Sequence, residues 1–107
     1  MTHKDLVNAV LLYLSRVGLA WVNQTGVAEA DGRVIRFGFV GSPDVIGMVR
    51  GLGGRFIGVE CKTGSGTQSK PQRIFEATAQ ANGGIYILAR DVEDVRNRLR
   101  MEGLNDV

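Results

Sequence analysis

Two apolar runs of strand character flank Gly51-Leu52-Gly53-Gly54, and that punctuation leaves the chain few ways to fold. Val45-Ile46-Gly47-Met48-Val49 precedes the glycines, and residues 55–62, containing Phe56-Ile57-Gly58-Val59-Glu60-Cys61-Lys62, follow them. A glycine-rich turn between two such runs predicts an antiparallel hairpin. Asp44 stands at the start of one arm and Glu60 near the end of the other, so pairing the arms brings two carboxylates together. Period-two alternation sends Glu60 and Lys62 to one face of the second arm and Cys61 to the other.

The remaining segments read as scaffold. Residues 3–17 predict an amphipathic helix, with Leu6, Val10, Tyr13, Leu14 and Val17 at helical spacing, Thr2 as N-cap and Gly18 as the stop. Asp5 lies in its first turn, where a carboxylate suits the helix dipole. Residues 19–23 predict a short strand in which Trp21 is a core or edge aromatic. Residues 24–32, with Gly26 and Asp31-Gly32, read as a loop or turn, and residues 34–39 as an irregular strand interrupted by Gly38. After a Gly/Ser/Thr loop at 63–67, Ser69 is an N-cap and Pro71 opens a helix running to about Asn82, where Gly83-Gly84 ends it. Gln72 falls in the first turn of that helix. Residues 85–89 predict a buried strand, and Val92, Val95 and Leu99 mark a last helix after Asp91. This order predicts an α/β protein, an α+β mixed sheet with flanking helices. Its strand-helix-strand step from Glu60 to Ile85 is a right-handed crossover.

A chain of 107 residues builds one core, so residues 1–107 are expected to form a single domain. With 44% hydrophobic and 22% charged residues the composition is globular rather than disordered. No apolar run reaches the roughly 18 residues of a membrane span, and the start lacks the pattern of a signal peptide. A cytoplasmic location with no membrane partner is the expectation. One cysteine and one histidine exclude an internal disulfide and a Cys/His zinc cluster within one subunit.

The net charge of +2 conceals an uneven distribution. Between residues 32 and 75 the bases are Arg33, Arg36, Arg50, Arg55, Lys62, Lys70 and Arg73, and the only acids are Asp44 and Glu60. Such a segment fits a phosphate-backbone partner, with Arg33, Arg36, Lys70 and Arg73 as candidate nucleic-acid contacts. Phosphodiester cleavage needs water brought to an anionic backbone, and a divalent ion both acidifies that water and neutralises the phosphate. Magnesium takes hard oxygen ligands and keeps waters beside one or two carboxylates. Asp44 and Glu60 supply the carboxylates, the backbone carbonyl of Cys61 a third oxygen, and Lys62 an ammonium that orients water or offsets developing charge. Gln72 is a candidate for positioning water or phosphate.

Gly41-Ser42-Pro43-Asp44-Val45-Ile46-Gly47, Gly58-Val59-Glu60-Cys61-Lys62 and Ser69-Lys70-Pro71-Gln72 together resemble the VRR-NUC domains, virus-type replication-repair nucleases of the PD-(D/E)XK superfamily. The resemblance extends over almost the whole chain. It implies a restriction-endonuclease-like core, dependence on Mg²⁺ or Mn²⁺, and action on structured DNA. Stand-alone phage-type members are similar to dimeric enzymes that cut four-way junctions, so a homodimer in the host-cell cytoplasm is implied. Such domains carry an acidic residue in the first helix that contributes to the site, a role that falls here to Asp5, with the uncharged Asn8 about one turn later. Two other readings stand beside the nuclease: a catalytically inactive nucleic-acid-binding module of the same fold, and a structural phage protein with no nucleic-acid partner.

Overall fold

A computed structural model describes residues 1–106. Three helices and six strands follow one another as α1 (His3–Val17), β1 (Gly18–Val22), β2 (Gly26–Ala30), β3 (Arg33–Phe37), β4 (Val45–Val49), β5 (Ile57–Cys61), α2 (Lys70–Ala81), β6 (Ile85–Ala89) and α3 (Val92–Met101). The fold is therefore of the α/β class, with a mixed four-stranded sheet in the order β1-β4-β5-β6 and a separate two-stranded ribbon, β2-β3.

Helix α1 begins in a reciprocal cap. Thr2 Oγ1 accepts from the Asp5 N–H while Asp5 Oδ2 accepts from the Thr2 N–H, both at 3.1 Å, so two otherwise unpaired donors are satisfied. Its stripe of Leu6, Val7, Val10, Tyr13 and Leu14 is buried. Gly18 ends the helix and begins β1 with no intervening loop. A Cβ at this position would lie 2.0 Å from the carbonyl oxygen of Met48, so only glycine lets β1 lie against β4 here.

The hairpin expected around the glycines forms: β4 and β5 are antiparallel, with Val45 opposite Val59 and Gly47 opposite Ile57. Strand β5 is buried along its whole length because it lies inside the sheet, antiparallel to β4 on one side and parallel to β6 on the other. Parallel pairing of β5 with β6 is what the crossover through α2 requires. Val45, Val59, Cys61, Ile85 and Ala89 join α1 residues with Val95 and Leu99 of α3 in one apolar core. On the α2 side Phe75 packs against both Phe56 and Tyr86, with ring centroids 6.0 and 6.3 Å apart.

One segment departs from expectation. Residues 26–30, read as loop, form β2 and pair with β3 through Asp31-Gly32. Both turn residues have positive φ, 52° and 72°, the backbone that suits a two-residue hairpin turn. The turn was readable, but Gly26, Ala28, Glu29 and Ala30 have low strand propensity and hid the strand beside it. Among the described residues no helix is long and apolar enough to cross a membrane.

Candidate active site

Asp44 sits at the last step before β4, and its approach is fixed by backbone and side-chain bonds. Asn23 Nδ2 donates to Ser42 Oγ at 2.8 Å and to the Pro43 carbonyl at 2.9 Å, and the Asn23 N–H donates to the Asp44 carbonyl at 2.8 Å. Pro43 is buried against β5, where Gly58 makes room for it: a Cβ on Gly58 would stand 2.5 Å from Pro43 Cγ. The carboxylate then crosses the hairpin, and Asp44 Oδ2 accepts from the Cys61 N–H at 2.8 Å.

That bond places Asp44 beside Glu60, which is 97% buried. Glu60 Oε1 lies 3.8 Å from Lys62 Nζ, and Oε2 is buried with no hydrogen-bond partner. Burial, reinforced by the neighbouring Asp44 carboxylate, pushes the Glu60 acid up to about 8, while Lys62 pulls in the opposite direction. Two adjacent carboxylates, one of them dry, form an arrangement that a cation relieves. The orphaned oxygen and the all-oxygen donor set fit a hard divalent ion that keeps some of its waters. Among the described residues no three His, Cys, Asp or Glu side chains are gathered as a closed metal cage. The Cys61 side chain faces the core, as alternation predicts, and burial pushes its thiol up to about 12, leaving it protonated and no competitor for the ion.

Helix α1 meets this site through His3, not Asp5. His3 Nε2 lies 3.4 Å from Asp44 Oδ2, and an open cleft of about 310 Å³ separates His3, Lys4 and Asn8 from Val22, Asn23 and Asp44. Asp5, expected as the acidic contribution of the first helix, instead closes its own N-terminal cap, which also holds its carboxyl below the ordinary value. Helical geometry is the reason: His3 and Val7 share a face one turn apart, while Asp5 is two residues round from both. His3 was legible only as the N-terminal extension of the Val7–Val10–Leu14 stripe.

Gln72 is likewise drawn into a cap. Its Oε1 accepts from the Ser69 N–H at 2.8 Å while Ser69 Oγ accepts from the Gln72 N–H at 3.3 Å. The start of α2 nonetheless abuts the loop before Asp44, since a Cβ on Gly41 would fall 2.3 Å from the Pro71 carbonyl oxygen. A residue that the sequence did not single out holds the loop after Lys62: Arg90 donates to the carbonyls of Gly64 and Gly66 at 2.9 and 2.8 Å. No local pattern announces such a clamp, because its partners lie across the parallel β5–β6 pair.

The basic middle segment divides once folded. Arg50 donates to the Arg16 carbonyl, Arg55 to Gly83 and Glu102, and Arg73 to the Gln68 carbonyl. Arg33, Arg36 and Lys70 stand exposed, the first two on the ribbon and the last at the start of α2. No protein-family model matches the chain, and no curated protein matches it.

Proposed function

We propose that this chain is a metal-dependent endodeoxyribonuclease hydrolysing phosphodiester bonds, with the restriction-endonuclease-like core of the VRR-NUC domains. The observation that carries the reading is the convergence of Asp44, Glu60 and Lys62 across one hairpin, with a buried carboxylate oxygen left without a partner. Mg²⁺ or Mn²⁺ held by Asp44 and Glu60, with the Cys61 carbonyl as a further oxygen, would acidify water and neutralise the reacting phosphate. Lys62 supplies an ammonium beside the carboxylates, placed to orient the attacking water and to offset charge as it develops. Burial of Glu60 keeps competing water from its side of the site. With its amide oxygen in the cap, Gln72 offers its amide nitrogen as a phosphate donor. Arg33, Arg36, Lys70 and Arg73 are the candidate DNA contacts.

The substrate follows from the resemblance: branched DNA such as a four-way junction, cut in the host cytoplasm by a homodimer that carries two sites. In the assay, purified protein nicks branched or duplex DNA when Mg²⁺ or Mn²⁺ is added. Glu60→Ala abolishes cutting, by at least about 10³-fold if the carboxylate positions the ion. Wild-type cutting by that variant would remove Glu60 from the mechanism. The rival reading is an inactive DNA-binding module, which binding without cleavage across both metals and several substrates would select.

A further inference from the structure

The face of the main sheet that carries Glu60 is only half covered. Helix α2 packs on β6 at one edge, while α1 holds β1 and β4 from the opposite side. Left open on β1 and β4 are Leu19, Trp21 and Met48, each at least 40% exposed, with Leu19 directly across from Met48 and Trp21 across from Ile46. Tryptophan is highly buried on average, so one left in water within an apolar patch marks a contact surface. The register sets this patch beside the carboxylates. Trp21, Ile46, Gly58 and Tyr86 make one row across the four strands. Asn23, Asp44 and Glu60 fall in the next row on the same face, two residues or about 7 Å further along. The loop that delivers Asp44 is tied to β1 by the bonds from Asn23 and meets α2 where Gly41 abuts Pro71. It carries a second aromatic, Phe39, 77% exposed. Phe39 and Val40 line an apolar groove of about 560 Å³ whose other wall is Pro71, Ile74 and Phe75 of α2, and Lys70 is the only charged residue that lines it.

We propose that Trp21 and Phe39, at the β1 and α2 sides of this loop, are stacking platforms for unpaired bases, so that a single-stranded stretch of DNA lies over the loop beside Asp44 and Glu60. Every base has a flat face, so aromatic platforms select unpaired DNA without selecting its sequence. Duplex DNA keeps its bases inside and offers an apolar groove nothing but phosphates. A free strand uses both parts of the surface, its bases on the two aromatics and its phosphates at Lys70. Charge agrees with a strand rather than a protein segment of mixed sign: no carboxylate lines the groove beside Lys70. The ribbon β2-β3, none of whose residues is buried, carries its acids Glu29 and Asp31 toward its far end, away from the loop. The inference rests on DNA as the partner proposed above, not on cleavage.

Trp21 is the only tryptophan, so its emission reports on this surface alone. The full chain is titrated at low salt, without divalent ions, with an oligothymidylate of about ten nucleotides and with a hairpin duplex, and anisotropy of each labelled DNA follows binding. Oligothymidylate is expected to quench Trp21 in step with binding, and the duplex to bind without quenching it. Phe39→Ala and Trp21→Ala each weaken oligothymidylate at least about 5-fold, the low end for one base stack, and leave the duplex unchanged. Trp21→Tyr recovers affinity that Trp21→Ala loses. Phe39 is already surrounded by water, so circular dichroism should show the Phe39→Ala fold intact, and that variant decides should Trp21→Ala misfold. Oligothymidylate that binds with either Trp21 emission or Phe39→Ala affinity unchanged overturns the proposal and leaves DNA as the partner. Emission that shifts on concentrating the protein alone, and not with DNA, assigns the surface to contacts between protein chains and overturns it too. DNA that binds in neither form removes both the proposal and the reading it rests on. Stacking without cutting once Mg²⁺ is added upholds the proposal and selects the inactive binding module.

Discussion

Ionising Glu60 opposes folding, because burial and the Asp44 carboxylate raise its pKa to about 8 from an ordinary 4.5. A group raised in this way contributes stability in full below its unfolded value and loses it as pH climbs through the folded one. Metal-free protein should therefore melt lower at pH 8 than at pH 5, by more than about 4 °C, the shift expected for each kcal/mol in a domain of this size. Glu60→Gln keeps the shape without the charge and should flatten that dependence in thermal melts. Added Mg²⁺ should raise the wild-type Tm more at pH 8 than at pH 6, since the ion competes with the proton. A flat wild-type profile would show that Glu60 ionises without cost.

The joint between α1 and β1 places helix and sheet in register with no spare residue. Gly18 has an extended backbone that any residue can adopt, with φ −176°, so its importance is steric, set by the 2.0 Å approach to Met48. Gly18→Ala is expected to cost at least about 2 kcal/mol through overpacking, seen as a drop in Tm of roughly 10 °C. An unchanged melt would mean that β1 shifts freely along β4. The elements themselves were largely legible. The α1 stripe with its Thr2 cap, the Ser69-to-Asn82 helix and the glycine-turned hairpin all follow from periods and caps that are local to the chain. Strand β2 was not, because its residues carry no strand pattern and its pairing rests on the turn beyond it.

Folding the chain also returns its C-terminal residues to its first helix. Asp106 accepts from Tyr13 Oη at 2.6 Å and from Arg100 at 2.9 Å, while the Arg96 guanidinium lies 5.0 Å over the Tyr13 ring. The hydrogen bond from Tyr13, then that from Arg100, holds the Asp106 carboxyl below its ordinary value. Its stabilising effect is thus present above the unfolded pKa and lost as pH falls through the folded one. Asp106→Asn should lower Tm at pH 7, and the gap to wild type should close in strongly acidic buffer.

If DNA is the partner, removing one phosphate-contacting base lowers the salt slope of binding by about 1. Lys70→Ala should do so, and Arg50→Ala should not, since Arg50 is held by the Arg16 carbonyl. Equal slopes for the two variants would show that the exposed base takes no part. The sequence by itself determined the hairpin and hence the meeting of Asp44 with Glu60, because alternation and glycine turns act between neighbours along the chain. Only the tertiary structure decided that His3 rather than Asp5 faces Asp44, that Gln72 caps its own helix, that Arg90 pins the loop after Lys62, and that the ribbon stands uncovered. Each of these depends on how separate elements are rotated and stacked against one another, and no local period encodes that.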